Sequence, residues 1–411
     1  MKTNMDKAYW LVNVRLESGY RYEEDRITGT ETEIYHLKIR DGQIVQIVSA
    51  DIPPNDGLQQ MNAKRLLFLP AFRDMHIHID KTYYSGPWKA CSPCDSLASV
   101  LKEEEELLPK LLPTAQSRAE KLLGLLLSNG TTKVRTHCNI DPIIGLKNLE
   151  ATLQAVENYA GKQSHEIVAF PQHGILRSNV AGPVREALRM GATHIGGVDP
   201  ASIDLNIEKS LSTIMELAVE ANVGVDIHIH DPGHLGTFTF KRLAALTEEA
   251  KWQGRVTISH GFGLADVRPQ EQAELAELFA SLGISITTYV PIHRTTIPIP
   301  LLKEKGVRVS LGDDSIVDHW SVFGQGDTLE RAGRLAERFR WSDERALAET
   351  LGFITGGVIP LNKKGERIWP QVGNEASGVL VAAHCSAEAV ARRAKRHAVL
   401  FKGNVVYGLI P

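Results

Sequence analysis

At 411 residues the chain is long enough for a barrel of about 250 residues with a satellite domain beside it. Apolar residues make up 43% and charged residues 23%, and a net charge of −3 gives no basic field for nucleic acid or acidic membranes. No run of roughly 18 apolar residues marks a membrane span, and MKTNMDKAYWLVNV has no long apolar stretch behind a basic head, so neither span nor signal peptide is expected.

The first sixty or so residues read as short strands. YWLVNVRLE, EIYHLKIRDG and QIVQIVSA alternate apolar and polar residues, and Asp41-Gly42 is a hairpin-turn signal. Pro53-Pro54 breaks this set shortly before a different pattern begins. The end of the chain, SGVLVAA, HAVLFKG and NVVYGLI, is strand-like again. Strands at both termini predict one small β domain, of sandwich type, assembled from residues 1–65 and 365–411.

Residues 66–364 alternate apolar strand-like runs with amphipathic stretches. The runs are LLFLPAFRDMHIH, TKVRTH, EIVAFPQ, HIGGVD, GVDIHIH, RVTISH, SITTYVP and VRVSLGDD. Helical segments lie between them, among them PTAQSRAEKLLGLLLSNG, AGPVREALRMGA, NIEKSLSTIMELAVEANV, PQEQAELAELFASLG and DTLERAGRLAERFR. Strand-then-helix repeats imply a parallel sheet, and eight strands are what a (β/α)8 TIM barrel requires. An open doubly wound sheet is the competing architecture, but no GxGxxG follows a strand here. The acidic run Glu103–Glu106 reads as a solvated helix face or loop without a function. Cys91, Cys94, Cys138 and Cys385 read as free thiols of a reducing cytosol, since the Cys91-Ser-Pro-Cys94 spacing has no second pair to complete a zinc site.

Catalytic residues of such barrels project from the C-terminal ends of strands. The polar residues there are His76, His78, His137, Gln172, His228, His230, His260 and Asp313–Asp314. In His76-Ile-His78 the two imidazoles share one side of a strand and can both face the barrel axis. Two or three nitrogens with one carboxylate, and a position left for water, form the ligand set of a catalytic zinc-type site.

LPAFRDMHIHIDK, RVTISH and SLGDDSIVDHW resemble the amidohydrolase superfamily. RTH at 135–137, VAFPQ-x-GIL at 168–176, VDIH at 225–228 and VTISH at 256–260 are similar to its cytosine deaminase branch. HID-Lys81, GGVDPA at 196–201, DIHIHD at 226–231 and W-x-x-FG-x-GD at 320–327 are similar to the N-isopropylammelide amidohydrolases within it. The resemblance implies a cytoplasmic metal-dependent hydrolase of C–N bonds, a deaminase or aminohydrolase of a pyrimidine- or triazine-like ring, assembled as a homo-oligomer with a small-molecule substrate. Hydrolysis of a cyclic or linear amide is the alternative, and an inactive scaffold the third.

Residue by residue, the resemblance implies His76, His78, His228 and Asp314 as metal ligands. Asp313 is the rival of Asp314, which is preferred for its distance to Asp318 and Trp320. His260 is implied to hold the attacking water or the substrate, Gln172 the ring's carbonyl or amide edge, and Lys81, Ser315 and Trp320 to contact substrate. Binuclear relatives carry a lysine at the end of strand four; HIGGVDP offers none, which implies one divalent ion, Zn or Fe(II). Where cytosine deaminases have a glutamate three residues after the strand-five histidine, this chain has Asp231. Asp231 either moves the proton to the leaving nitrogen, alone or with His230, or only orients His230. The change points away from cytosine itself as the substrate.

Overall fold

The computed structural model describes residues 8–94 and 96–410. Residues 1–7, on which the signal-peptide reading partly rests, and Asp95 lie outside the described residues. Five strands open the chain: β1 (Tyr9–Glu23), β2 (Arg26–Arg40), β3 (Gln43–Ser49), β4 (Gln59–Asn62) and β5 (Leu67–Pro70). The Asp41-Gly42 signal makes the expected two-residue turn between β2 and β3. Both residues have positive φ, 52° and 76°, as a type I′ turn demands, and Arg40 pairs with Gln43 across it.

Eight barrel strands follow, with helices between them: β6 (Phe72–Ile77), β7 (Thr131–Asn139), β8 (Ser164–Phe170), β9 (His194–Val198), β10 (Gly224–Ile229), β11 (Val256–His260), β12 (Ser285–Thr288) and β13 (Val309–Leu311). They lie side by side in sequence order and every pairing is parallel, so the (β/α)8 barrel stands. Two helices, α1 (Leu97–Leu111) and α2 (Ala115–Ser128), fill the long connection from β6 to β7. Three strands close the chain, β14 (Gly378–Val381), β15 (Arg396–Phe401) and β16 (Asn404–Gly408).

These last three join the first five in one mixed sheet in the order β16-β15-β14-β5-β1-β2-β3, with β4 beside β1. The sheet folds over its own core, so that Leu37, Ile39 and Ile44 from one end pack in one cluster with Leu380, Ala398 and Leu400 from the other. The run LLFLPAFRDMHIH is therefore two strands and not one. Pro70 has no N–H to continue a ladder, and the chain leaves the mixed sheet there to begin the barrel at Phe72.

The barrel closes at a narrow seam. The Asp314 N–H donates to the His76 carbonyl at 2.8 Å, and the His78 N–H donates to the Asp314 carbonyl at 3.3 Å. Gly312 lets the strands come this close, because a Cβ there would stand 2.5 Å from the His76 oxygen and 2.6 Å from its nitrogen. Gly312→Ala should destabilise the protein by about 1–3 kcal/mol, read from its urea midpoint, as the seam is forced apart.

Glu17, buried on β1, takes one hydrogen bond from the Ser386 N–H, while its second oxygen has no partner among the described residues. Burial is the main cause that pushes its carboxyl up from 4.5 to about 7. Folding therefore takes up a proton between these values, and the stability this contributes is lost as pH rises through about 7. Glu17→Gln removes that loss: its gain over the parent should rise from nothing near about pH 4 to about 3 kcal/mol above about pH 8, measured by denaturant titration.

Candidate active site

The C-terminal ends of β6, β7, β10 and β11 gather imidazoles in van der Waals contact. The His76 ring centroid lies 4.2 Å from His137, 4.5 Å from His228, 4.8 Å from His260 and 5.6 Å from His78. His230 stacks on His260 at 4.5 Å. Phe170, from the end of β8, stacks on His228 at 4.3 Å and makes one wall apolar.

Burial sets the charge state of these rings. It is the main reason that His228, His137 and His260 are held well below the ordinary histidine value, with the neighbouring imidazoles adding to it. His78 is pushed down to about 3, by burial first and Lys81 second. Neutral rings keep a lone pair for a metal. Burial alone would raise the Asp314 carboxyl, but His76 and His78, each 3.5 Å from its Oδ1, outweigh it and hold the group well below the carboxylate range.

Two donor sets converge. His76, His78 and His228 bring ligand atoms within 4.8 Å of one another, and so do His76, His260 and Asp314. His76 Nε2 and both nitrogens of His228 are buried with no hydrogen-bond partner among the described residues. An orphaned nitrogen this deep is costly unless a ligand takes its lone pair, so the donors fit a divalent ion. A third group, His76, His137 and Asp226, fits less well, because Arg135 already donates to Asp226 Oδ2 at 2.9 Å.

The other face of His76 is fixed. Its Nδ1 lies 2.8 Å from Ser259 Oγ, and Ser259 donates to Asp226 Oδ1 at 2.5 Å, with Arg135 on the far side. This chain turns His76 Nε2 toward Asp314. The rivals Asp313 and Asp314 separate by direction: Asp313 Oδ1 accepts from Arg331 Nε at 2.8 Å, away from the rings.

His230 carries a half-open ring, 38% exposed, at the edge of the cluster. Asp199, at the end of β9, grips it twice: Oδ1 accepts the His230 backbone N–H at 2.6 Å and Oδ2 lies 2.8 Å from Nδ1. Burial works against the charged ring, but Asp199 prevails and holds its pKa above the ordinary value. Asp231 follows His230 in the chain, and its Oδ2 is buried with no hydrogen-bond partner among the described residues. Its buried carboxyl turns toward Ala201 and Ser202, and burial raises its pKa.

Lys81 and Gln172 meet at one edge, where Lys81 Nζ donates to Gln172 Oε1 at 2.8 Å. The Lys81 ammonium lies 5.4 Å from the centre of the Trp320 ring. Ser315 is half-buried beside Asp314.

Sequence reasoning missed two residues. Asp199 ends an apolar strand as the histidines do, and that position was its signal. The other is Glu104. The acidic run expected to be solvated instead sends Glu104 fully into the interior, while Glu106 is exposed. Leu101, Glu104 and Leu108 fall on one buried face of α1 at i, i+3 and i+7, so the helical period carries the carboxylate inward with the leucines.

The chain belongs to the amidohydrolase family, whose pattern matches residues 184–407. It is 44% identical to the uncharacterized protein YahJ of Escherichia coli (strain K12), over 98% of this chain and 89% of that one. It is 29% identical to N-isopropylammelide isopropyl amidohydrolase of Pseudomonas sp. (strain ADP), over 98% of both chains. The crystal structure of N-isopropylammelide isopropylaminohydrolase from Burkholderia multivorans ATCC 17616 superposes with a TM-score of 0.86 at 27% identity, covering 98% of this chain and 99% of that one.

Ser259→Ala and Asp226→Asn, which touch no proposed ligand atom, should each weaken metal affinity by about 10–100-fold, measured by competition with a chromophoric chelator. Unchanged affinity in both would mean that His76 needs no help to hold its orientation.

Proposed function

We propose that this protein hydrolyses a C–N bond of a small nitrogen heterocycle, triazine- or pyrimidine-like, releasing ammonia or an amine. The observation that carries the reading is the convergence of His76, His78, His228 and Asp314, three imidazoles and one carboxylate held ionised, at the mouth of the barrel. Similarity to N-isopropylammelide hydrolases over nearly the whole chain supports the ring substrate. The same four residues would hold one divalent ion, Zn or Fe(II). The end of β9 offers Asp199, already engaged with His230, and no lysine for a second ion. Such an ion, when bound, supplies Lewis acidity and brings water toward ionisation at neutral pH.

The chain's own groups supply the rest. Asp314, its carboxylate kept ionised, accepts the proton of the attacking water. His260, packed between His228 and His230, steadies charge that develops on the ring. His230 is partly exposed with Nδ1 anchored on Asp199, so its Nε2 is the donor that delivers a proton to the leaving nitrogen. Asp231, turned to Ser202, supports that segment and stands apart from the proton path. Lys81 and Gln172 hold an edge of the ring away from the reacting carbon, and Ser315 and Trp320 complete the walls. We place the enzyme in the cytoplasm as a homo-oligomer acting on a small molecule, apart from nucleic acid and membranes; among the described residues no helix is long and apolar enough to cross a membrane.

Release of ammonia or alkylamine should be seen on a panel of aminotriazines, aminopyrimidines and pterins, and turnover of lactams alone would sink the ring-amine reading. His228→Ala should lose both bound metal and turnover, measured by elemental analysis and assay. His230→Gln should keep its metal while kcat falls by about 100-fold or more.

A further inference from the structure

Glu104, fully buried on α1, is held by partners from several elements. Its Oε2 accepts from Trp320 Nε1 at 2.7 Å, lies 2.7 Å from His319 Nε2, and stands 3.6 Å from Lys81 Nζ. Its Oε1 accepts from Asn139 Nδ2, at the end of β7. These partners come from the β6–α1 connection, from β7 and from the segment after β13, so one carboxylate on α1 ties together three sides of the barrel mouth. Leu101, one turn earlier, packs with Phe170, Val198 and Trp320 and seats the helix over that mouth.

The tie has a chemical consequence at the Lys81–Gln172 edge. An ammonium can only donate, so the Gln172 oxygen must face Lys81 and its amide nitrogen must point away with its N–H donors outward. Lys81 is 1% exposed, and Glu104 is the carboxylate beside its charge. Asp80, Asp318 and the Trp320 ring also lie near that ammonium, but Glu104 is its salt-bridge partner among the described residues, and removing one partner of a buried pair leaves the other charge poorly compensated. Lys81, no longer held by its ion pair, is then free to draw away from Gln172, and the amide can turn either end outward.

We propose that Glu104 is a positioning residue. Through Lys81, and with His319 and Trp320 as its other anchors, it fixes a wall that offers donors only. That wall selects rings bearing an oxo group or oxyanion at the edge remote from the reacting carbon, against rings bearing an amino group there. The inference rests on the heterocycle reading given above, and extends it from the reacting carbon to the opposite edge.

The test uses metal-loaded full-length protein and two rings of the same size: cyanuric acid, with oxo groups at every carbon, and melamine, with amino groups. Calorimetry should show cyanuric acid bound at least about tenfold more tightly. Glu104→Gln should cut that preference by about tenfold, Lys81→Met by as much, and the double variant by no more than either alone, as residues acting through one another do. Glu104→Asp, which keeps the charge, should retain most of the preference. In a nitrogen-15 spectrum the Trp320 indole N–H, identified through Trp320→Phe, should move upfield in Glu104→Gln as its carboxylate acceptor is lost. Should Glu104→Gln fail to fold, Lys81→Met and Glu104→Asp still decide the preference. Full preference in Glu104→Gln, or additive effects with Lys81→Met, would overturn the proposal. A wild type that binds neither ring would instead sink the heterocycle reading, and an unmoved indole resonance would then still refute the tie to Glu104.

Discussion

The backbone of Asp314 is the stitch on which the barrel and its site both depend. It joins the last strand to the first by accepting from His78 and donating to His76. Its side chain then has little choice of direction, and the carboxylate comes to rest 3.5 Å from both imidazoles. Closure of the fold and assembly of the donor set are thus one event. The cost is local: Asp314 has φ of +62° and His260 has φ of +71°, both in the left-handed region that side chains seldom adopt. Two strained residues, at the ends of β11 and β13, are tolerated because the eight-stranded sheet overdetermines them.

Around that stitch, burial and charge work in opposite senses on neighbouring groups. Desolvation keeps the deep imidazoles neutral, while their ring nitrogens keep Asp314 ionised. His230, gripped by Asp199 at the rim, is held toward the protonated form. In the proposed reaction the base Asp314 and the acid His230 would therefore be different groups, and no single residue would have to serve as both.

Much of this was legible in the sequence, and the exceptions are instructive. Period-two runs ending in histidine announced the strands and the direction in which their polar ends point, so His76, His78, His228 and His260 could be placed before any fold was known. What could not be read was the use of hydrogen-bonding capacity across long separations. Asp199 looks like a turn residue until its two oxygens meet His230, and Glu104 looks like one of four interchangeable acids until the helix phase is known. Pro70 did carry its own signal, since a residue without an N–H cannot continue a ladder, yet the apolar run around it reads as continuous. Asp231 sits where the resemblance to cytosine deaminases implies a longer acid; its position along the strand was legible, but its approach to Ser202 was not.

The mixed sheet has a consequence for how the chain comes off the ribosome. β5 pairs on one side with β1, its near neighbour in sequence, and on the other with β14, where Pro70 faces Gly378. At about 5–20 residues per second, synthesis of the intervening segment takes roughly 15–60 s, during which the outer edge of β5 has no native partner. An unpaired edge of buried leucine and phenylalanine is an invitation to stray strands. The barrel, all of whose strands emerge in that interval, must form while its own foundation is still open on one side. Expression yield should therefore respond to translation speed and to chaperones that shield nascent sheet edges more than to the intrinsic stability of the finished enzyme.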